Sequence, residues 1–252
     1  MYYTRFRLLS HNADTEEVNQ ETYNKYNQEK DIPKIYYEIN KEIFKNKLPA
    51  TELEKAKQIA LWLRSNIKGG PGLSLPSDEA LVSMLDGRGG VCSDLSQVFN
   101  NFCVINGILV KEWGITIMPF DKRYGGHAVN EIFSKEMNKW ILIDVSRCIL
   151  FYLEDNVEPL STLEVFTANG NLRHSSLLGI EKEDKQLQNY FYNPSATPYL
   201  IVSYKNKLYD SYLRGLKQWF PIFVIHFLVY MTGRSYKYKF PLSDYNDLFK
   251  SA

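Results

Sequence analysis

The chain has 252 residues and almost balanced charges, with 30 basic and 29 acidic side chains and a formal net charge of +1. This balance gives no global field that would attract nucleic acid, so we expect no nucleic-acid binding. The three cysteines are an odd, sparse set, which excludes the dense framework of a small disulfide-stapled secreted domain. Because the first residues also lack the apolar core of a secretory signal, we expect a cytoplasmic location.

The first helical pattern follows a polar beginning. The N-terminal thirty residues are rich in Asn, Gln and Glu, which predicts an exposed arm or a peripheral helix rather than core. From Thr51, apolar residues recur at helical spacing as far as Ile67, and Thr51 with Glu54 has the pattern of a capping box. Gly69 and Gly70 then provide a stop signal. The sequence therefore predicts a helix that begins just after Thr51.

A second, short helix is predicted from Ser77 to Leu85, with Ser77 as its N-cap residue. The next segment begins with three glycines between positions 87 and 90 and continues with apolar residues at 95, 98, 99, 102 and 105. This spacing predicts a glycine turn that leads into an amphipathic helix. Strands are predicted over 111–118, 128–133 and 140–145.

Cys92 lies at the predicted start of the amphipathic helix, directly after Gly89 and Gly90. Exposed N–H groups and the positive end of the helix dipole favour a thiolate over a thiol at such a position. The same N–H groups would also stabilise the oxyanion of a tetrahedral intermediate. A single cysteine on an apolar helix face is usually a packing residue, so a catalytic interpretation depends on partners elsewhere in the chain.

Two candidate partners lie on a predicted antiparallel hairpin whose turn is SKEMNK. If Ile132 pairs with Lys139, then His127 lies opposite Asp144 on one face of the sheet. An imidazole beside a thiol accepts its proton, and a carboxylate behind the ring fixes the tautomer. We therefore predict a triad of Cys92, His127 and Asp144.

Three sequence blocks resemble the core of the transglutaminase-like superfamily. They are GGVCSD around Cys92, HAVNE at His127 and WILID ending at Asp144, in that order within about residues 52–146. The resemblance implies an α+β, papain-like fold in which the nucleophile-bearing helix packs on an antiparallel β-sheet, with additional N- and C-terminal elements. It also implies that Cys92 is the nucleophile, His127 the general base and acid, and Asp144 the orienting carboxylate.

The sequence departs from the family pattern at two positions near the triad. Val129 and Val145 stand where members often have an aromatic residue and a proline, respectively. Some members use an upstream tryptophan to bind the oxyanion. Trp62 is the only upstream tryptophan here, and its predicted helical setting does not establish that role.

Three charged residues near the predicted site have two interpretations each. Asp94 either supports the site or favours the helix N-terminus electrostatically, and we expect the second. Arg88 and Arg123 would suit an anionic substrate, but we expect both to be solvated surface charges.

One aromatic stretch, WFPIFVIHFLVYM from Trp219 to Met231, raises the question of a membrane. Its thirteen residues are too few to span a bilayer comfortably. We expect a buried core element. Basic residues on both sides leave membrane-surface association as a less favoured alternative.

We predict three segments: an N-terminal helical or peripheral arm over 1–50, the catalytic core over 51–160, and a C-terminal extension packed on the core over 161–252. We expect no metal site, because the four histidines are scattered along the chain. We also expect no cofactor, because GRGG and GGPG lack the ending of a phosphate-binding loop.

The predicted function is acyl transfer or hydrolysis at an amide bond through a thioester intermediate. The substrate would be a peptide, a protein or an amino-acid conjugate, with water or an amine as acceptor. One alternative resembles arylamine N-acetyltransferases, whose Arg-Gly-Gly-x-Cys pattern RGGVC matches. Another is a catalytically silent binding module of the same fold.

Overall fold

The computed structural model describes residues 2–168, 171–179 and 185–250. Eight strands in these ranges join one sheet: β1 (Ser10–Asn12), β2 (Val110–Ile117), β3 (His127–Ser134), β4 (Lys139–Asp144), β5 (Ile149–Leu153), β6 (Leu172–Ser176), β7 (Ala196–Val202) and β8 (Lys237–Phe240). Their order across the sheet is β1-β8-β7-β2-β3-β4-β5-β6. Neighbouring strands are antiparallel except for β1 and β8, which are parallel.

The helices pack around this sheet. They are α1 (Tyr2–Leu9), α2 (Thr15–Gln20), α3 (Lys34–Ile43), α4 (Glu52–Asn66), α5 (Ser77–Leu85), α6 (Cys92–Ile105), α7 (Thr162–Thr167), α8 (Lys185–Phe191), α9 (Asn206–Leu216) and α10 (Ile222–Met231). Helix α6 lies against β2 and β3. The predicted α+β class, with the helix that starts at Cys92 packed on an antiparallel sheet, is confirmed.

The alternation of side chains along β3 and β4 divides the core into two layers. Ile132, Ile141 and Ile143 point towards α3, α4, α5 and α6 and share a hydrophobic cluster with them. Val129 and Leu142 point to the opposite face and pack with residues of α7 and α8. Both faces of the central strands are therefore buried, as expected for an inner pair.

The helices that precede the site follow the sequence signals closely. Of the predicted capping box, the Thr51 half forms: its hydroxyl accepts a hydrogen bond from the Glu54 N–H at 3.2 Å and caps α4. The Glu54 carboxylate instead accepts from Lys57 Nζ at 2.7 Å. Helix α5 has the predicted span, but Ser77 is its first residue and not its N-cap, which is Pro76. The reason is that the Ser77 hydroxyl donates to Asp210 Oδ2 at 2.6 Å and is not available to the helix end.

The predicted pairing of the β3–β4 hairpin is wrong by two positions. Ile132 pairs with Ile141 and not with Lys139, because Ser134 already pairs with Lys139. The turn therefore has four residues, 135–138, and ends at Asn138 in the left-handed region with φ 50°. The predicted turn had six residues because it included Ser134 and Lys139, which in the structure are the last residue of β3 and the first of β4.

This correction changes how His127 and Asp144 are related. The observed register places Asp144 beside Val129 on the neighbouring strand, so it is not directly opposite His127. A shift of two positions keeps every side chain on its face, since the side-chain period of a strand is two. His127 and Asp144 consequently still share one face, as diagonal neighbours.

Both terminal segments contribute to the same sheet. Strand β1 pairs with β8 at the sheet edge, and Val18 and Tyr23 are buried in the core. The expectation that the first thirty residues lie outside the core is therefore wrong. The segment is polar on average, but its few apolar residues are covered by the rest of the chain, and composition alone does not reveal this. The division into segments 1–50, 51–160 and 161–252 stays a prediction.

The stretch from Trp219 to Met231 is a surface element, so the expectation of a buried core element is wrong. Helix α10 occupies most of it, and only Ile225 and Val229 are buried. Trp219 is 73% exposed and Met231 is 65% exposed. Among the described residues, no helix combines the length and the apolar character needed to cross a bilayer.

Gly114 in β2 is required by close packing at the centre of the sheet. It pairs with Tyr199 of β7, and a Cβ added at Gly114 would lie 2.2 Å from the Tyr199 ring. We predict that Gly114→Ala lowers the free energy of unfolding by about 1–3 kcal/mol, because the ring has to move within a packed layer. Denaturation in urea measures this change.

A matched control comes from Gly215 in α9, where an added Cβ meets no atom within 4 Å. Gly215→Ala should leave stability unchanged or raise it by up to about 1 kcal/mol, since alanine is the better helix former. Equal stability of Gly114→Ala and the wild type would contradict the packing explanation.

Candidate active site

Two glycine loops fix the position of Cys92. The Gly90 N–H donates to the Pro71 carbonyl at 2.9 Å, and the Gly70 N–H donates to the Gly90 carbonyl at 3.0 Å. Gly89 and Gly90 have φ values of 139° and 115°, which side chains rarely adopt. A Cβ on Gly89 would also lie 2.6 Å from the Pro71 oxygen. The loops thus approach so closely that glycine is needed before the thiol.

Asp94 closes this turn from inside α6. Its Oδ2 accepts hydrogen bonds from the Val91 N–H at 3.0 Å and the Leu73 N–H at 3.3 Å. Burial raises the pKa of the Asp94 carboxyl, and these two donors oppose that shift. Asp94 therefore joins the loop at Leu73 to the start of α6, a specific role within the helix-terminus interpretation.

His127 and Asp144 form a buried pair at the end of the central strands. The distance from His127 Nε2 to Asp144 Oδ2 is 2.7 Å. Their side chains are 2% and 0% exposed, respectively. Although the two residues are diagonal on the sheet, the long imidazole reaches across to the carboxylate.

The Cys92 thiol completes the group. It lies close enough to the His127 ring and to the backbone N–H of Ala128 for both to lower the thiol pKa. Helix α6 packs on the opposite face of β3 from His127, and the two meet because His127 is the first residue of that strand. Cys92 itself is partly exposed. The structure thus brings the three predicted site residues together in the order thiol, imidazole, carboxylate.

The turn after β4 holds the Asp144 carboxylate from the other side. Oδ1 accepts hydrogen bonds from the Ser146 hydroxyl at 2.8 Å and the Arg147 N–H at 3.0 Å. The Arg147 guanidinium lies 3.5 Å from Asp144 Oδ2 and 2.9 Å from His127 Nε2. Sequence reasoning missed Ser146 and Arg147, although Asp and Ser are both residues that favour turns.

A tyrosine from α8 covers the imidazole. The Tyr190 ring is stacked on the His127 ring, with centroids 4.6 Å apart and an interplanar angle of 10°. Arg147 lies over the same tyrosine ring, and the Tyr124 ring meets its edge. This cover excludes water from one side of His127. Sequence reasoning missed Tyr190, because no local pattern links it to a histidine 63 residues away.

A known family model matches the segment of the chain that carries Cys92, His127 and Asp144. Residues 37–145 match the model of the Transglutaminase-like superfamily, which begins earlier than the predicted resemblance and ends one residue before it. This segment is transglutaminase-like. The predicted family resemblance is confirmed.

Beyond this family match, similarity to known proteins is weak. A solved protein from Cytophaga hutchinsonii, titled a putative cysteine protease, is similar to this chain with 16% identity and a TM-score of 0.37. The similarity covers 65% of this chain and 52% of that protein, so the chain spans about half of that protein's length. Among curated proteins, no sequence matches the chain.

The surroundings of the transglutaminase-like site shift the pKa values of Cys92, His127 and Asp144. Burial acts against charge on Asp144, but His127 and Arg147 lower its carboxyl pKa to about 2. Burial likewise disfavours the imidazolium, yet the Asp144 carboxylate and the Cys92 sulfur raise the pKa of His127 to about 9. Burial raises the pKa of the Cys92 thiol, but the neighbouring His127 ring and the Ala128 N–H outweigh it and leave the pKa below its usual value.

The remaining candidates lie outside the transglutaminase-like site. Arg88 and Arg123 are exposed and pair with Asp86 and Asp121, each at 2.6 Å, as expected of surface charges. Trp62 lies on α4 and packs against the hydrophobic cluster between α4 and α6.

We predict that Cys92 is the reactive thiol of the protein. Burial raises the pKa of Cys103, and burial raises that of Cys148 to about 11, so neither thiolate is populated near neutral pH. At pH 7, iodoacetamide should alkylate Cys92 at least about tenfold faster than either, as measured by peptide mass spectrometry.

The same experiment in 8 M urea, where all three thiols are exposed, is the control; there the rates should be alike. His127→Ala should slow the alkylation of Cys92 in the folded protein towards that of an ordinary thiol. A folded wild type in which Cys92 reacts no faster than Cys103 would contradict the prediction.

We also predict a pH-dependent contribution of His127 to stability. Its pKa is raised in the folded protein above an unfolded value of about 6.5. The protonated ring therefore stabilises the fold fully below about pH 6.5, and this contribution is lost as the pH rises to about 9.

The test compares urea unfolding of Cys92→Ala with that of Cys92→Ala/His127→Gln at pH 6, 7.5 and 9.5, so that the Cys92 thiol does not titrate. The stability advantage of the single variant should shrink with rising pH. An advantage that grows with pH would show that the ring is held neutral.

Proposed function

We propose that this protein is a thiol enzyme that cleaves an amide bond through a covalent thioester on Cys92. The single observation that carries the proposal is that the Cys92 thiol lies beside the His127 ring, which is itself hydrogen-bonded to Asp144. The substrate would be a peptide, a protein or an amino-acid conjugate. Water or a primary amine would then take the acyl group.

The ionisation of the site supports thiolate attack. A lowered Cys92 pKa and a His127 pKa of about 9 favour a thiolate beside an imidazolium at neutral pH. Because Nε2 of His127 is bonded to Asp144, we assign Nδ1 as the nitrogen that exchanges a proton with the sulfur. Asp144 holds the ring in that orientation and stabilises its charge.

The chemical steps follow from these positions. The Cys92 thiolate attacks the amide carbonyl carbon and forms a C–S bond, and the carbonyl electrons move to oxygen. His127 donates its proton to the departing nitrogen as the C–N bond breaks and the thioester forms. It then accepts a proton from the incoming water or amine, whose attack releases the acyl product and regenerates the thiolate.

The start of α6 supports stabilisation of the oxyanion. The N-cap residue Val91 has an apolar side chain and makes no side-chain hydrogen bond to the first-turn N–H groups. These groups lie next to the sulfur of Cys92 at the positive end of the helix dipole. They are suited to accept the negative charge that develops on the carbonyl oxygen.

The proposal predicts a trapped acyl-enzyme. Wild-type protein is mixed with a library of peptides that contain glutamine amides and with amino-acid conjugates, quenched in acid and measured by intact mass. A mass increase that maps to Cys92 should appear, and Cys92→Ala should abolish it. Cys103→Ala, which removes a thiol from the same helix, is the matched control and should retain the adduct.

Product analysis completes this experiment. Addition of butylamine distinguishes an amide product from a free acid and so identifies the acceptor. Asp144→Asn should lower turnover by about 10²–10⁴-fold, because the neutral amide no longer stabilises the imidazolium. Substrate that binds tightly without any covalent adduct would contradict the proposal and favour a binding module.

A further inference from the structure

The outward face of α10 is an exposed apolar patch. Phe223 and Phe227 are 49% and 53% exposed. Together with Met231 they recur every four residues and so lie on one side of the helix. Trp219 and Phe220, just before the helix, are exposed as well. These five residues, hereafter the aromatic patch, present large apolar side chains to solvent along one side of the helix. Such a patch usually marks an interaction surface.

The inward face of α10 fixes this orientation. Ile225 and Val229 are buried, and they lie on the opposite side of the helix from Phe227. His226 packs between the rings of Tyr209 and Tyr236. Burial lowers the pKa of His226 to about 4, so α10 carries no side-chain charge at neutral pH. Packing therefore fixes the outward orientation of the aromatic patch, and no side chain of α10 changes its charge near neutral pH.

The chain segment that carries the aromatic patch contains basic but no acidic side chains. Residues 211–240 include five basic side chains and no Asp or Glu. Arg214 is paired with Asp78 and Glu79, and Lys239 is paired with Glu21. The other three, which form no ion pair within the described residues, are exposed: Lys217, Arg234 and Lys237.

We propose that α10 docks on an anionic lipid surface, with the aromatic patch inserted at the level of the headgroups and the basic residues against lipid phosphates. An apolar centre with a positive rim complements a bilayer that contains acidic lipids. The ten-residue helix is about 15 Å long, which suits a position in the plane of the interface. A second copy of the chain is a poorer occupant, because its positive rim would face an identical one.

The proposed docking surface is connected to the loops around Cys92. Lys217 Nζ donates to the Leu73 carbonyl at 3.1 Å, and the Leu73 N–H donates to Asp94 in α6. The surface thus adjoins the loop that supports the glycine turn. Lipid binding itself does not depend on the proposed amide chemistry, so each is tested separately.

The test uses vesicles of phosphatidylcholine alone and of phosphatidylcholine with 30% phosphatidylglycerol. The wild-type chain should sediment with the anionic vesicles, and 0.5 M NaCl should weaken this binding. Trp219 fluorescence should shift to shorter wavelength on binding, and Trp219→Phe should remove the shift. Phe223→Ser/Phe227→Ser/Met231→Ser should lower the partition coefficient at least about tenfold.

A matched control changes three exposed apolar residues elsewhere, Leu48→Ser/Leu109→Ser/Val157→Ser, and should bind as the wild type does. Near-wild-type circular dichroism and melting temperature establish that both triple variants are folded. Two results would overturn the proposal: no sedimentation of the wild type with anionic vesicles, or light scattering that shows a dimer that the patch variant alone loses.

Discussion

The buried carboxylate of Asp144 imposes the geometry on which the site depends. Removing an ionised carboxylate from water costs several kcal/mol unless donors replace the lost water. Here the donors are His127, the Ser146 hydroxyl and the Arg147 N–H. Because one donor is a ring on β3 and the others belong to the turn after β4, satisfying the carboxylate also fixes the imidazole. The Cys92 thiol lies beside the ring that is held in this way.

A second set of buried polar contacts aligns α6 with the sheet. Asn130 of β3 donates to the Ser96 carbonyl at 3.1 Å and to the Asn100 side-chain oxygen at 2.7 Å. Asn100 in turn donates to Glu112 of β2 at 2.9 Å. Apolar packing tolerates sliding of a helix along a sheet, whereas these directional bonds specify one position. The thiol at the start of α6 is thereby held beside the first residue of β3.

Local signals in the sequence located most of the elements that carry the site. Caps and glycines defined α4 and α6, and the alternation along β3 and β4 placed His127 and Asp144 on one face despite the wrong pairing. The register itself depends on turn length, which the polar stretch SKEMNK left open. Contacts between residues far apart in the chain leave no local pattern in the sequence. The stacking of Tyr190 on His127 is one of these contacts.

The prediction of a buried core element at α10 was based on hydrophobicity alone, and it was wrong for a physical reason. An apolar helix gains from burial only where the remaining chain offers a surface to cover it. At α10 that surface accommodates Ile225 and Val229 and leaves the aromatic face in solvent. Whether a hydrophobic stretch is core or contact surface is therefore decided by tertiary structure, which composition does not encode.

Elements beyond the family segment support the site as much as the segment itself does. Asp210 of α9 bonds to Ser77 at the start of α5, and Gln97 of α6 bonds to Asn206. Arg147 and Tyr190, which surround the imidazole, also lie outside residues 37–145. In the proposed mechanism the substrate binds beside the imidazole, where these two side chains lie. We therefore expect the family segment to supply the chemistry and the later elements to determine which substrates reach it.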